Sequence, residues 1–402
     1  MSDAHPAPLQ GVRVVDITDE FGGYAGRLLA GLGADVIRVH DQRRVRVPPL
    51  PPLIEVGDDV TSLFDEFVHG GKRSIALDTA LATGIEMLER LVQSADVVLS
   101  AADGRAPGGW SEVNPGVVHV VITPFGWDRS PEWSPVDDLI VLGAGGLLHL
   151  GGYPDTGPVG PFGGQSQIAA GIFAAVAVMV GLIEKEATGE GSSADVSAQE
   201  AIAQALEDSL PTFVLTGEIR EPQGEEAREA GTGVYACRDG YVSMVAGRLG
   251  TARAWAALVD WMNEGETAAG ELREPQWAEF SFRQTTEASD RFRQIFETFA
   301  STRRKEQLYI DAQQRGIALS PVSDTSDLLQ NEQLEAREFF THFRHPGLGL
   351  DLIAPRTPFR MSLTSPVDLG AAPVPGGDTA KILADLGLTD EELASLVEGG
   401  VV

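Results

Sequence analysis

Residues 26–35 read Gly-Arg-Leu-Leu-Ala-Gly-Leu-Gly-Ala-Asp and run directly into Val36-Ile-Arg-Val-His40. They follow an apolar stretch, residues 12–17, with the character of a buried strand. Ala25, Leu28, Leu29 and Leu32 then share one helical face, and Gly33 stops the helix before a second apolar strand. Strand, helix and strand within about 30 residues form one βαβ unit, the opening of a parallel sheet.

Outward from this unit, apolar strands and helical patterns alternate to about residue 215, which predicts a doubly wound α/β sheet. Residues 74–77 and 96–99 read as strands and 84–92 as a helix. Residues 131–164 are rich in Gly and Pro and read as an ordered loop able to line a pocket. Residues 168–183 are apolar but fall short of the roughly 20 needed to span a bilayer, so they predict a core helix. Apolar content then drops at 218–229, a linker or exposed crossing. A hairpin around Asp239-Gly240 and helices bearing Trp255, Trp261, Trp277, Phe292 and Phe299 follow. The expected organisation is a large domain at 1–224, a smaller α+β domain at 225–325 and a return to the large domain at 326–402. Residues 324–340 read as a helix, and Thr389 with Glu392 as the capping box of the last one.

The formal net charge of the 402 residues is −29. Nucleic acids and anionic membranes are held by clustered cations, so neither is expected as a partner. Cys237 is the single cysteine, which leaves no disulfide framework within the chain. The polar start of the sequence lacks a basic-then-apolar leader, so a cytoplasmic location is expected. The seven histidines show no metal-ligand spacing, and Ser166 lacks the second glycine of a nucleophile elbow.

The wording is narrower than the spacing. Residues 28–39, then His69-Gly-Gly-Lys-Arg-Ser-Ile-Ala-Leu-Asp78, Asn114-Pro115, Phe125-Gly126, Thr188-Gly-Glu-Gly191, Gly316-Ile-Ala-Leu-Ser-Pro-Val322 and Pro358-Phe-Arg360 resemble, in order, the family III CoA-transferases. That resemblance implies a Rossmann-like large domain, an acyl-CoA substrate, no covalently bound cofactor, and two subunits that interlock like chain links. CoA phosphates need cations. Arg38, Arg43, Arg44 and Arg46, in or just after the second strand, with Lys72 and Arg73, are the candidates; a solvated basic loop is the alternative for the run after the strand.

In this family one aspartate before the long apolar helix attacks the thioester, and the mixed anhydride then accepts CoA or the incoming carboxylate. The resemblance puts Pro161 at that position, and no Asp or Glu occurs between Asp155 and Glu184. Phe21 stands where relatives often carry Gln, and Ser100-Ala-Ala-Asp103 replaces a Glu-Asn-Phe segment. Asp137 and Asp138 are the remaining acidic candidates; they are either an acid–base pair or a helix cap at Leu139 with a solvated neighbour. Three readings follow. The chain is a nucleophile-lacking subunit that works with an Asp-bearing paralogue, a stand-alone acyl-CoA isomerase, racemase, hydratase or lyase using Asp137 or Asp138, or a silent acyl-CoA-binding protein. The assembly is accordingly a homodimer or a heterodimer with that paralogue.

Overall fold

A computed structural model describes residues 5–41, 50–56, 59–101, 105–128, 136–222, 224, 229–246, 252–264, 269–364 and 367–402. The chain divides into two units. One comprises Met1–His149, Val159–Arg220 and Leu334–Val402; the other comprises Leu150–Pro158 and Glu221–Gln333.

The chain up to Thr216 forms β1 (Arg13–Ile17), α1 (Gly23–Gly31), β2 (Asp35–Asp41), β3 (Leu53–Val56), β4 (Asp59–Ser62), α2 (Leu63–His69), β5 (Arg73–Leu77) and α3 (Ala82–Gln93). It continues with β6 (Val97–Ser100), β7 (Val118–Thr123), α4 (Asp138–Ala144), α5 (Leu147–Leu150), α6 (Gln165–Thr188), β8 (Ser193–Ser197), α7 (Ala198–Ala203) and α8 (Ser209–Thr216). Six strands pair in parallel in the order β5-β2-β1-β6-β7-β8, the Rossmann arrangement. The order reverses beside β1, so a crevice opens at the carboxyl ends of β1 and β6.

Both faces of the sheet are covered, which is why its strands are apolar at consecutive positions. Val14, Val36, Val97, Leu99 and Val120 pack with Leu29 of α1 and with Ala170, Ala174 and Val178 of α6. Val15, Ile37, Ile75 and Val98 pack with Leu88 and Leu91 of α3 on the other face. A side chain at Gly171 would bring its Cβ within 2.8 Å of Tyr24 Cβ and 3.0 Å of the Ala25 nitrogen, so glycine sets the close crossing of α6 over α1. The expected core helix is therefore only half in the core. Its other face exposes Ile172, Val176, Val180 and Ile183, and α8 exposes Leu210, Phe213, Val214 and Leu215. By length and composition α6 is also apolar enough to cross a membrane. The loop expected at 131–164 contains α4 and α5; residues 131–135 lie outside the described residues.

The second unit holds β9 (Thr232–Cys237), β10 (Gly240–Val245), α9 (Ala252–Asn263), α10 (Phe280–Arg283), α11 (Thr286–Ala300), α12 (Lys305–Gln314), β11 (Ala318–Pro321) and α13 (Thr325–Leu329). Its core is aromatic: Trp255 stacks on Trp277 at 6.0 Å and Tyr235 meets Phe296 edge-on at 5.1 Å. The single helix expected at 324–340 is instead two short ones, α13 and α14 (Glu332–Ala336), followed by strand β12 (Phe340–Arg344). Neither helix buries a residue, so no apolar stripe holds them in one rod.

The remaining chain adds β13 (Asp351–Pro355), α15 (Thr379–Asp385) and α16 (Asp390–Glu398). Thr389 and Glu392 form the capping box of α16. This returning segment closes the sheet edge. The Ser74 N–H donates to Asp378 at 3.0 Å and the Ala76 N–H to Thr379 Oγ1 at 3.1 Å, so β5 presents no open edge there.

Candidate active site at the carboxyl edge of the sheet

Beneath the carboxyl end of β1 lies a buried charged network. Lys72 donates from Nζ to Asp16 Oδ2 at 2.8 Å, to the Gly23 carbonyl at 2.8 Å and to His69 Nδ1 at 3.0 Å. The three donors of an ammonium are thereby used. Arg38 Nη1 also donates to His69 Nδ1, so that nitrogen is an acceptor and the ring is neutral. Burial and then the two cations hold the His69 pKa well below 6.5. Burial pulls Lys72 down to about 8 against the opposing pull of Asp16. Asp16 also accepts from the Thr18 amide and hydroxyl. A Cβ at Gly26 would lie 2.6 Å from Lys72 Nζ, so this glycine of the opening motif makes room for the network.

The predicted cations therefore separate. Arg38 stays half-buried at this end of the sheet, near enough to Asp65 to act on its titration. Lys72 is enclosed and saturated beneath the site. Arg73 opens β5 at the opposite, amino end, where its guanidinium forks onto Asp35 and reaches Asp385 at 2.9 Å. Strand polarity removes it from the carboxyl edge. Arg43, Arg44 and Arg46 lie outside the described residues.

Asp137 and Asp138 exchange the roles expected of a helix cap. Asp137 is the N-cap of α4 and accepts the Ile140 N–H at 3.1 Å; Asp138 is the first helical residue. Asp138 Oδ1 accepts the Ser166 N–H at 2.7 Å and the Ser166 hydroxyl at 2.6 Å, and so tethers α4 to the first turn of α6. Gly164 precedes that turn, and a side chain there would collide with the Gln167 amide and touch Phe64. The Gln167 amide is buried with no hydrogen-bond partner. Pro161 sits in an exposed stretch before α6.

Glu20, in the loop after β1, was not singled out by its sequence context. Burial first, and then the charges of Asp19, Asp137 and Asp65, push its pKa up to about 7. It is thus a carboxyl group that carries a proton near neutrality. Its only signal in sequence was its place at the carboxyl end of the first strand.

A cavity of about 360 Å³ opens at this same edge, on the sheet face covered by α3, a volume in the range of small-molecule sites. Ile17, Val39, Ile85 and Leu88 make its apolar walls, and Asp41, Thr79, Arg105 and Trp110 its polar ones. The Arg105 guanidinium lies over the Trp110 indole at 3.9 Å and is held by Glu89 at 2.9 Å and the Gly109 carbonyl at 3.3 Å. Among the described residues no group of three or more His, Cys, Asp or Glu is placed to hold a metal ion.

A parallel sheet in Rossmann order with a cavity at the carboxyl ends of β1 and β2 defines a doubly wound α/β protein. The profile of CoA-transferase family III matches residues 9–379, nearly the whole chain. The chain belongs to that family. It is 33% identical over 406 residues to the succinyl-CoA:(R)-benzylsuccinate CoA-transferase subunit BbsE of Thauera aromatica, covering 97% of each chain. It is 26% identical to a formyl-CoA:oxalate CoA-transferase of Streptomyces avermitilis, covering 98% of this chain and 99% of the relative. The fold is that of a CAIB/BAIF family protein from Brucella suis, with a TM-score of 0.79 and 23% identity over 95% of this chain and 100% of the other.

Proposed function

We propose that the chain binds an acyl-CoA and serves as the nucleophile-lacking subunit of an oligomeric CoA-transferase that moves CoA between an acyl-CoA and a carboxylic acid. The carrying observation is at the start of α6. No carboxylate precedes the helix where the family's nucleophile stands, and the nearby Asp138 is committed to Ser166. The relative from Thauera aromatica is itself named as a subunit, which supports a division of labour and points to a succinyl-type donor. The exposed apolar faces of α6 and α8 suit burial against a second subunit, a copy of this chain or an Asp-bearing paralogue. Arg38, with the run Arg43, Arg44 and Arg46 that follows β2, serves the CoA phosphates, and the expected setting is the cytoplasm.

The test is covalent trapping. The chain alone, incubated with succinyl-CoA and then with hydroxylamine or borohydride, is expected to keep its mass. Adding an Asp-bearing paralogue is expected to produce transfer to a carboxylic acid, with rates raised on the order of 10³-fold or more over either chain alone. An acyl adduct on the isolated chain overturns the proposal.

A second reading, stand-alone acid–base chemistry on an acyl-CoA, is favoured by one observation. Glu20 is a carboxyl group poised to give or take a proton near pH 7, whereas Asp137 and Asp138 are engaged at helix ends. Turnover by the isolated chain that disappears in Glu20→Gln supports it.

A further inference from the structure

We propose that the side-chain amide of Gln167, in the first turn of α6, receives the thioester carbonyl of a bound acyl-CoA, with Nε2–H as the donor to the carbonyl oxygen. The inference rests on the acyl-CoA reading above and names a residue by which the acyl group is held.

Gln167 is 1% exposed, and neither its Nε2 nor its Oε1 has a hydrogen-bond partner. Leaving a buried polar group unmatched costs about 1–3 kcal/mol. The amide is directed by Gly164, the N-cap of α6. A Cβ there would lie 1.8 Å from Gln167 Oε1 and 3.0 Å from the Phe64 ring, so the absent side chain leaves the space into which the amide folds back over the cap. Gly163, the next residue outward, is exposed. A ligand approaching the cap end therefore meets two residues without side chains.

The backbone at this end supports the same ligand. The Gln165 N–H turns to the Gly163 carbonyl at 3.1 Å, the Ser166 N–H goes to Asp138 at 2.7 Å, and the Ile168 N–H begins the helical ladder at the Gly164 carbonyl at 2.9 Å. Among the described residues none accepts from the Gln167 N–H. With 24 residues, α6 also carries the partial positive charge of a long helix at this end. The surrounding charges then select a neutral group. Asp138 is bonded to Ser166 in this turn, Asp137 precedes it, and Asp65 adjoins Phe64. Burial and then Asp19, Asp137 and Asp65 keep the proton on Glu20. A carboxylate would meet those charges, whereas a thioester carbonyl is uncharged and needs only donors. The pantetheine arm completes the match: its last amide N–H, two methylenes before the sulfur, suits Oε1, and the thioester carbonyl suits Nε2. A carbonyl oxygen held by N–H groups at a helix amino end is polarised for attack at its carbon.

The experiment is calorimetry on the full chain with succinyl-CoA and with S-(3-carboxypropyl)-CoA, a thioether that keeps the arm and the terminal carboxyl but lacks the carbonyl. Wild type is expected to bind succinyl-CoA about tenfold tighter, the worth of a buried donor no longer left unmatched. In Gln167→Met, which keeps the length and loses the amide, that ratio is expected to fall below about threefold. Infrared difference spectra of succinyl-CoA isotope-labelled at the thioester carbonyl give a signature that a merely structural glutamine would not. The stretch is expected to move to lower frequency on binding the wild type and to stay in place in Gln167→Met. The thermal midpoint of unliganded Gln167→Met is expected to equal or exceed that of the wild type, because two unmatched buried atoms are gone. Equal wild-type affinities for the two ligands, or an unshifted carbonyl stretch, overturn the inference while leaving the acyl-CoA reading intact, and neither requires a variant to fold. A lowered midpoint with an unchanged ligand ratio makes Gln167 structural and overturns it as well. Failure of the wild type to bind either ligand overturns both readings.

Discussion

The cavity beside β1 and β2 and the first turn of α6 stand at the same edge of one sheet, yet they differ in what their polar groups have left to offer. At the cavity, Trp110 keeps an unpartnered N–H and Arg105 presents a fixed plane. At α6, the carboxylates that remain are occupied: Asp137 caps α4, and Asp138 takes both the amide and the hydroxyl of Ser166. The two regions draw on different side chains, one set at strand ends and in α3, the other at the starts of α4 and α6. The cavity lies on the sheet face covered by α3 and the first turn of α6 on the other, so a substitution at one leaves the lining of the other unchanged.

The most damaging way to break the comparison is to remove what lies under β1. Lys72→Met leaves Asp16 buried without its ammonium, a change expected to cost about 3–5 kcal/mol in urea unfolding. CoA binding should fall with stability; a stable variant with normal affinity would show that the network is not needed there.

Acid acts next, on the cavity side. His119 Nδ1 accepts the Gly108 N–H and Nε2 faces Ser100 at 2.9 Å, so the folded ring is neutral. Burial first, then Arg105, lowers its pKa from 6.5 to about 4. The folded value lies below the unfolded one, so this stabilisation is present above about pH 6.5 and is lost as pH falls through about 4. The window is worth about 3 kcal/mol at most by linkage. Unfolding free energy followed from pH 7 to 4 should drop accordingly, with a shallower drop in His119→Gln.

On the helix side, Asp138→Ala removes two hydrogen bonds to Ser166 and is expected to destabilise by about 1–3 kcal/mol while CoA affinity stays unchanged. A loss of affinity in a folded variant would place Asp138 in the binding site and narrow the contrast. The smallest effect concerns Glu20. Its proton leaves as pH rises through about 7, adding a negative charge among Asp19, Asp65 and Asp137. Affinity for an anionic acyl-CoA should weaken severalfold from pH 6 to 8, and Glu20→Gln should remove the dependence.

Much of the scaffold was legible because it depends on short-range pattern. Gly33 after a helical apolar face, apolar strands read at 74–77 and 96–99, and the Thr389 capping box each declare themselves within a few residues. The division at 324–340 did not, since a run of helix formers reads as one helix unless packing is known to be absent. Arg73 follows Lys72 in sequence, yet one is tied to Asp35 at the amino end of the sheet and the other is buried beneath its carboxyl end. Glu20 and Arg105 carried no motif, because the burial and the neighbours that set their properties come from elsewhere in the chain.

The sequence by itself determined the family, the alternation of strand and helix and the absence of any Asp or Glu between Asp155 and Glu184, because these depend on local propensity, order and residue identity. Only the tertiary structure decided that Lys72 is spent on Asp16 and His69, that Asp138 belongs to Ser166, and that Trp110 is left without a partner beside a cavity. Hydrogen-bond saturation and pKa are properties of groups brought together across tens of residues: 56 separate Asp16 from Lys72, and 28 separate Asp138 from Ser166. No pattern along the chain records which donors those contacts consume.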